Sequence, residues 1–335
     1  MAVRTRSAPA VSRAIDFLLA RQGSDGLWRE FHTLAGEGAD WPTGFIGGAL
    51  VSAGAERGSL RRAADTLAAT QHDDGGWGYH AGVPSDADST AWVLLFLSAL
   101  GGREECVERG VACLVRHQDR ESGGVPTYLE GGPIRRYMRL PRQVRVDGWR
   151  RAHLEVTAAA GRAAAAVRGA RNDCVRAAWE YVRERQRENG SWPAYWWSSP
   201  YFSTLQAVEL AALVGDRAAI SRATVWAIGE QNADGGWGTP TSAFSTALAT
   251  AILLRTGRRR SELARAVARL EELQDADGGW PSHAALRIPP PDVSEPDNHR
   301  AWRVNRLGTG VIVHDGQRLF TSATCVAALA RFRDR

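Results

Sequence analysis

A short acidic run ahead of an apolar helix is the part of this sequence best suited to acid chemistry. The run is PSDADSTA (84–91), and AWVLLFLSAL (91–100) follows it without a charge. Burial at this helix start, together with the neighbouring carboxylate of Asp86, would raise the pKa of Asp88 and keep it protonated. The helix N-terminus and a hydrogen bond from Ser89 would stabilise the carboxylate left after proton donation. The alternative is that Asp88 is only a helix N-cap.

A proton given to an alkene leaves a carbocation, and aromatic faces stabilise a nearby cation by about 0.5–2 kcal/mol each. Aromatic residues concentrate at predicted helix starts and in the loops before them, most densely in AYWWSSPYFST (194–204). The candidates for a substrate-binding wall are Trp41, Trp92, Tyr128, Trp149, Tyr195, Trp196, Trp197, Tyr201, Phe202 and Phe244. Packing within the core is the alternative role for these side chains.

Repeated turns of the form Gln-x-x-Asp/Asn-Gly-x-Trp divide the chain. They begin at Gln22, Gln71, Gln186, Gln231 and Gln274, and a worn copy at Gln118 lacks the Trp. An amphipathic helix precedes each Gln, and an almost wholly apolar helix follows each turn, starting at Ser or Thr hydroxyls that we interpret as N-caps. Repeats of this period indicate a repeat architecture. We therefore predict an all-α (α/α)6 barrel of six helix hairpins, with the turns at one mouth.

The barrel should form a single domain over residues 1–335. Two segments are longer than the repeat requires, at about 125–151 and 281–320, and we expect both to cover the barrel mouth. The first carries seven arginines, which fit either a solvated surface or a clamp for a diphosphate.

The turns, QHDDGGW (71–77) and QNADGGW (231–237) above all, resemble the QW repeats of squalene–hopene and oxidosqualene cyclases over essentially the whole chain. PSDADSTA is similar to the DxDDTA motif of class II terpene cyclases. That resemblance makes Asp88 the proton donor and Asp86 the first aspartate of the motif, whereas Ser89 departs from the pattern. AHLE (152–155) resembles the family's Ala-His-x-x-Glu region, which implies a hydrogen bond from His153 to Asp88.

The resemblance implies a terpene cyclase that protonates an isoprenoid alkene and cyclises the carbocation in an aromatic cavity. No Asp-Asp-x-x-Asp run or zinc-ligand set is recognisable, so we expect no metal and no other cofactor. Two alternatives stay open: a non-catalytic barrel that binds an isoprenoid or a protein partner, and a prenyl-transferring subunit, which would need zinc. Family cyclases close their cavity with a second barrel, so a homodimer or a second chain completing the site also stays open.

Bulk composition limits the other functions. The formal net charge is +5, with arginine as the only basic residue besides histidine, and no basic stripe is interleaved with aromatics, so we expect no nucleic-acid partner. The four cysteines have no Cys-x-x-Cys spacing and are interpreted as reduced thiols. No apolar run approaches the roughly 20 residues that span a bilayer. We expect no signal peptide and a cytoplasmic protein, with peripheral membrane contact left open.

Overall fold

The computed structural model describes residues 2–129, 133–256 and 260–334. In chain order its helices are α1 (Ala2–Leu19), α2 (Asp40–Ala53), α3 (Arg57–Ala69), α4 (Ala87–Leu100), α5 (Glu104–His117), α6 (Ile134–Tyr137), α7 (Asp147–Arg150), α8 (Leu154–Arg168), α9 (Asp173–Arg183), α10 (Pro200–Val214), α11 (Arg217–Gly229), α12 (Ala243–Leu254), α13 (Arg260–Glu272) and α14 (Leu319–Arg333). The strands are β1 (Glu30–Thr33), β2 (Gly36–Gly38), β3 (Ala285–Ile288), β4 (Arg303–Val304) and β5 (Val311–His314).

Twelve of these described helices alternate between two concentric rings. The inner ring is α2, α4, α8, α10, α12 and α14, and each packs against the next, with α14 returning to α2. The outer ring is α1, α3, α5, α9, α11 and α13. The inner helices are buried on nearly every side, as in α12, where every residue from Ala243 to Leu254 is buried. The predicted α/α barrel is confirmed.

The glutamine of each repeat turn ties neighbouring outer helices together. Gln71 Nε2 donates to Gly75 O and to Cys106 O on α5, both at 2.8 Å. The equivalent pair of bonds is made by Gln22, Gln118, Gln186, Gln231 and Gln274. Gln274 reaches Ala10 O on α1 at 2.9 Å, so the last turn closes the ring onto the first helix.

The Ser and Thr hydroxyls at the inner-helix starts act differently from the prediction. Thr90 is the fourth residue of α4, and its Oγ1 accepts a hydrogen bond from Trp77 N at 3.0 Å. Thr246 accepts from Trp237 N in the same way, also at 3.0 Å. The N-cap interpretation of these hydroxyls is therefore wrong, because the helices begin earlier and the hydroxyls bind the repeat turn to the inner ring instead.

The segments at 125–151 and 281–320, called the roof below, meet each other. Residues 130–132 of the first lie outside the described part of the chain. Trp149 of the first segment donates from Nε1 to Pro289 O at 3.0 Å and from its backbone N to Pro291 O at 3.3 Å. Tyr195, which lies outside both segments, donates from Oη to Val293 O at 2.9 Å. In the second segment, β5 pairs antiparallel with β3 and parallel with β4. The rest of the described roof consists of loops and single helical turns.

Candidate active site

The start of α4 holds the acidic run in a fixed position. Asp86 is the N-cap residue, and its carboxylate accepts from Ser89 N at 2.8 Å and from Ser89 Oγ at 2.7 Å. Asp86 N donates to Trp77 O in the repeat turn, and Ala87 N donates to Thr127 O in the roof. The run is thus held between scaffold and roof. Ser89 was expected to bond Asp88, and this is corrected: its hydroxyl donates to Asp86.

Asp88 lies in the first turn of α4 and keeps part of its surface open while the residues on both sides of it are buried. Burial raises the pKa of its carboxyl well above the usual range, and the carboxylates of Asp86 and Glu155 raise it further. The indole N–H groups of Trp92 and Trp41 lower it, although neither reaches hydrogen-bond geometry. The net effect raises the pKa of Asp88 and so favours its protonated form.

The open side of Asp88 faces a cavity of about 90 Å³ beneath the roof. Its wall is aromatic and aliphatic, with the acidic run on one side. The lining residues are Thr33, Leu34, Ala35, Trp41, Tyr79, Asp86, Asp88, Ser89, Thr127, Tyr128, Ile134, Met138, Trp149, Trp196, Leu286 and Ile288. Of the predicted wall, this cavity brings together Trp41, Tyr128, Trp149 and Trp196.

The remaining predicted aromatics lie elsewhere, which corrects their assignment to this wall. Trp197, Phe202 and Phe244 pack into a cluster that plugs the barrel, with the rings of Trp197 and Phe202 stacked at 4.2 Å. Tyr201 stacks on Trp226 of the outer ring.

Tyr195 and Trp92 also lie off this cavity. Tyr195 stacks on His153 at 3.8 Å, behind the wall. Trp92 lines a second cavity below the plug. The helix rotation that decides these positions depends on packing across the ring, so residue spacing alone does not reveal it.

His153 does not hydrogen-bond Asp88, which corrects the role that the resemblance implied. Its Nε2 lies 2.9 Å from Gly148 O and must carry the proton, so its Nδ1 accepts from Thr127 Oγ1 at 2.9 Å. Burial lowers the pKa of His153 to about 3, so the ring is neutral. His153 therefore joins two parts of the roof and supports the wall beside Trp196.

Two acidic residues near the site were not predicted from the sequence to belong to it. Glu155 Oε1 accepts from the backbone N–H of Tyr195 and Trp196, at 2.8 and 2.6 Å, and its buried charge acts on Asp88. Asp40 opens α2, and both its carboxyl oxygens are buried without a hydrogen-bond partner among the described residues. Glu155 stood within the AHLE match and could have been selected from it. Asp40 carried no signal beyond its place before an apolar helix.

Within the described ranges 2–129, 133–256 and 260–334, no three His, Cys, Asp or Glu side chains come together as metal ligands. None of the helices there is long and apolar enough to cross a bilayer. Several roof arginines are held by local partners, for example Arg135 on Pro141 O and Val144 O at 2.8 and 2.7 Å, and Arg145 on Asp147.

The model of the squalene–hopene cyclase C-terminal domain matches residues 1–138 and 154–258. The chain belongs to this family. A relative within it, a drimenyl diphosphate synthase from Streptomyces showdoensis, is 33% identical over 247 residues, covering 68% of this chain and 42% of the relative. The chain thus spans about two fifths of that relative's length. The family membership expected from the QW turns is confirmed.

Solved structures extend the family likeness to the whole chain. The type II terpene cyclase MstE from Scytonema, in a variant solved with its substrate geranylgeranyl dihydroxybenzoate, is 28% identical with a TM-score of 0.92, and the match covers 99% of both chains. A protein from Actinoplanes is 35% identical with a TM-score of 0.88, covering 97% of this chain and 99% of that one. This chain and the terpene cyclase MstE therefore match over nearly their full lengths.

Proposed function

We propose that this protein is a class II terpene cyclase in which Asp88 protonates an alkene of an isoprenoid substrate. The observation that carries the proposal is the position of Asp88, a carboxyl that opens onto an apolar, aromatic cavity and lies among other buried carboxyls. Burial raises its pKa, and the carboxyls of Asp86 and Glu155 raise it further. These causes favour the protonated form of Asp88, which can transfer its proton to an alkene that enters the cavity.

The proton transfer balances within the site. The π electrons of the alkene form a new C–H bond with the proton of Asp88, which leaves a carboxylate on Asp88 and a cation on the adjacent carbon. The positive end of α4 and the nearby indole N–H groups of Trp92 and Trp41 stabilise that carboxylate. Attack by the next alkene closes a ring, and loss of a proton at the end of the cascade leaves a neutral product. Solvent returns the proton to Asp88.

Aromatic rings form a large part of the wall that faces the carbocation. Trp41, Tyr79, Tyr128, Trp149 and Trp196 line the cavity. Each face offers about 0.5–2 kcal/mol to a cation. Water would capture the cation early, so the apolar residues of the roof, such as Ile134 and Ile288, serve to exclude it.

Asp86 and Glu155 act on the reaction through position and charge. Burial raises the pKa of Asp86 to about 7, although its bonds from Ser89 oppose this. The fixed Asp86 carboxyl therefore keeps the proton on Asp88 without competing for the substrate. Glu155 holds the backbone of Trp196 in the wall through its bond to that N–H.

The relatives support this proposal and indicate the substrate class. MstE was solved with geranylgeranyl dihydroxybenzoate, and variants of MstE that replace one aspartate were solved with substrate or product bound. Another relative is named for drimenyl diphosphate. We propose an isoprenoid chain carrying a polar head. The cavity of about 90 Å³ is smaller than the roughly 300–1,000 Å³ of ligand pockets, so the chain must displace roof side chains when it binds.

The experiment is a turnover assay on a panel of prenyl alcohols, prenyl diphosphates and prenylated hydroxybenzoates. The wild-type protein should convert at least one of them to a cyclic isomer. Asp88→Asn keeps the shape of the side chain and removes the acid, so it should lower the rate by at least roughly 10²-fold, as loss of a general acid does. Asp73→Asn, an exposed aspartate in the neighbouring turn, is the matched control and should react at the wild-type rate.

Two results would reject the proposal. Full activity of Asp88→Asn would show that another group supplies the proton. Tight binding of an isoprenoid with no conversion of any panel member, unchanged in Asp88→Asn, would instead indicate a binding barrel.

A further inference from the structure

A second cavity lies inside the barrel, on the far side of the aromatic plug from Asp88. Its volume is about 340 Å³, and all six inner helices of the described barrel contribute residues to its wall. Along α2 it runs from Gly44 to Ser52, about 12 Å at the rise of an α-helix. Glycine and alanine make up much of the wall, and their short side chains leave an open channel between the helices, called the bore below. The volume falls within the range of small-molecule sites.

Charged side chains gather at one part of this otherwise apolar wall. Glu209 is buried and pairs with Arg331 at 2.8 Å and with Arg255, whose Nε lies 3.1 Å from Glu209 Oε1. Burial alone would raise the pKa of Glu209, but Arg331, Arg162 and Arg255 lower it to about 2, so it is ionised. Three arginines against one glutamate leave an excess of two positive charges.

Arg162 is the cation that this cluster leaves without a close carboxylate. Its guanidinium donates to Gln206 Oε1, a neutral amide, and lies 5.5 Å from the centre of the Trp92 ring. It forms no ion pair with a carboxylate in the described part of the chain. Burial lowers the pKa of Arg162 to about 10, which leaves it charged at neutral pH. Arg162 is half-buried at the cavity wall, so an anion brought beside it would pair with a partly desolvated cation.

We infer that this lower cavity binds an amphipathic molecule with a single hydrocarbon chain and an anionic head group. The chain occupies the alanine- and glycine-lined bore, and the head group pairs with Arg162 and Arg331. A phosphate or carboxylate suits these guanidinium groups, which present paired donors. The inference stands whether or not the upper cavity is catalytic, because none of the residues that carry it lines that cavity.

Trp92 connects the lower cavity with the upper site. Its ring forms part of the lower wall, and its indole N–H acts on the carboxyl of Asp88. A molecule bound in the lower cavity would therefore contact Trp92, whose indole N–H acts on Asp88. Binding in the lower cavity can in this way change the rate of the proposed reaction in the upper cavity.

Titration calorimetry with decyl phosphate, decanol and inorganic phosphate tests the inference. Decyl phosphate should bind with one site per chain. Decanol should bind at least tenfold more weakly because it lacks the anion, and inorganic phosphate at least tenfold more weakly because it lacks the chain. Equal affinity of decanol and decyl phosphate would overturn the charged part of the inference. Equal affinity of phosphate and decyl phosphate would overturn the apolar part.

Substitutions locate the site. A Cβ added at Gly48 meets no atom within 4 Å, and Gly48 lines the bore, so Gly48→Phe should fill the cavity without disturbing the helix and should weaken decyl phosphate binding at least tenfold. Gly229→Phe, at an equally free glycine on the outer helix α11, is the matched control and should bind like the wild type. Undiminished binding in a folded Gly48→Phe would overturn the inference, since the ligand would then lie elsewhere.

Two further variants cover the case in which Gly48→Phe does not fold. Ser52→Trp changes an exposed residue at the rim of the bore and should obstruct entry. Arg331→Gln removes one of the two head-group cations from a half-exposed position and should weaken decyl phosphate at least fivefold while leaving decanol unchanged. Wild-type affinity for decyl phosphate in both variants would also overturn the inference.

Discussion

Replacing Asp40 with asparagine should make the protein less sensitive to rising pH. The carboxyl of Asp40 is fully buried and has no hydrogen-bond partner among the described residues. Burial raises its pKa from 3.8 to about 7, against the opposing effect of Arg29 and with a contribution from Asp86. Between these two values the folded state holds a proton that the unfolded chain has lost. Stability must therefore fall as pH rises through this interval.

The size of the effect follows from the two pKa values. The pKa of Asp40 is 3.8 in the unfolded chain and about 7 in the folded protein. Its titration therefore lowers the free energy of unfolding by about 3 kcal/mol between pH 5 and pH 8. Asparagine fills nearly the same volume and does not titrate, so the Asp40→Asn variant lacks this term. The difference in stability between variant and wild type should grow by about 3 kcal/mol over that range, in favour of the variant.

Urea unfolding followed by circular dichroism at pH 5, 6, 7 and 8 measures this difference. Asp16→Asn, at an exposed aspartate of α1, is the matched control and should track the wild type at every pH. If the difference between Asp40→Asn and the wild type stayed constant from pH 5 to pH 8, Asp40 would be ionised or paired in the folded protein. The electrostatic description of this end of the barrel would then be wrong.

Two further predictions concern the scaffold. Thr246→Val should lower the free energy of unfolding by about 1–3 kcal/mol, because it leaves the buried Trp237 N–H without its acceptor. Thr246→Ser keeps the hydroxyl and should lower it much less. Thermal melts of the two variants measure this difference, and equal losses of stability would contradict the prediction. Gly47→Ala should destabilise by about 1–3 kcal/mol, since the new Cβ would lie 2.8 Å from the Phe96 ring. Gly48→Ala, one residue along, meets open space and should stabilise the helix by about 0.5–1 kcal/mol; destabilisation by both substitutions would show that the bore is not open there.

The scaffold was predictable because its rules repeat along the chain. Gln71 and its counterparts recur with one local spacing, and the same two hydrogen bonds follow at each copy. Asp88 could be placed near a helix start because the acidic run directly precedes an apolar stretch, although α4 begins earlier than the Ser and Thr hydroxyls indicated. The worn copy at Gln118 still makes both bonds, which shows that the glutamine suffices for that tie when the tryptophan is lost.

The features that could not be predicted from the sequence depend on contacts between residues far apart in the chain. His153 takes its partners from Thr127 and Gly148, and no local pattern shows that these occupy both ring nitrogens before Asp88 can. Phe244 and Trp41 both belong to the inner ring, yet Trp41 faces the upper cavity and Phe244 the plug. That choice depends on how each helix is rotated against its neighbours, which packing decides.

The central claim is that Asp88 begins the reaction by giving its proton to the substrate. Its most direct test is the deuterium content of the product formed in deuterated water, read by mass spectrometry and located by NMR. The account predicts one non-exchangeable deuterium per product molecule at the carbon protonated first, with product formation lost in Asp88→Asn. Product without deuterium, or labelled product formed by Asp88→Asn at the wild-type rate, would contradict it.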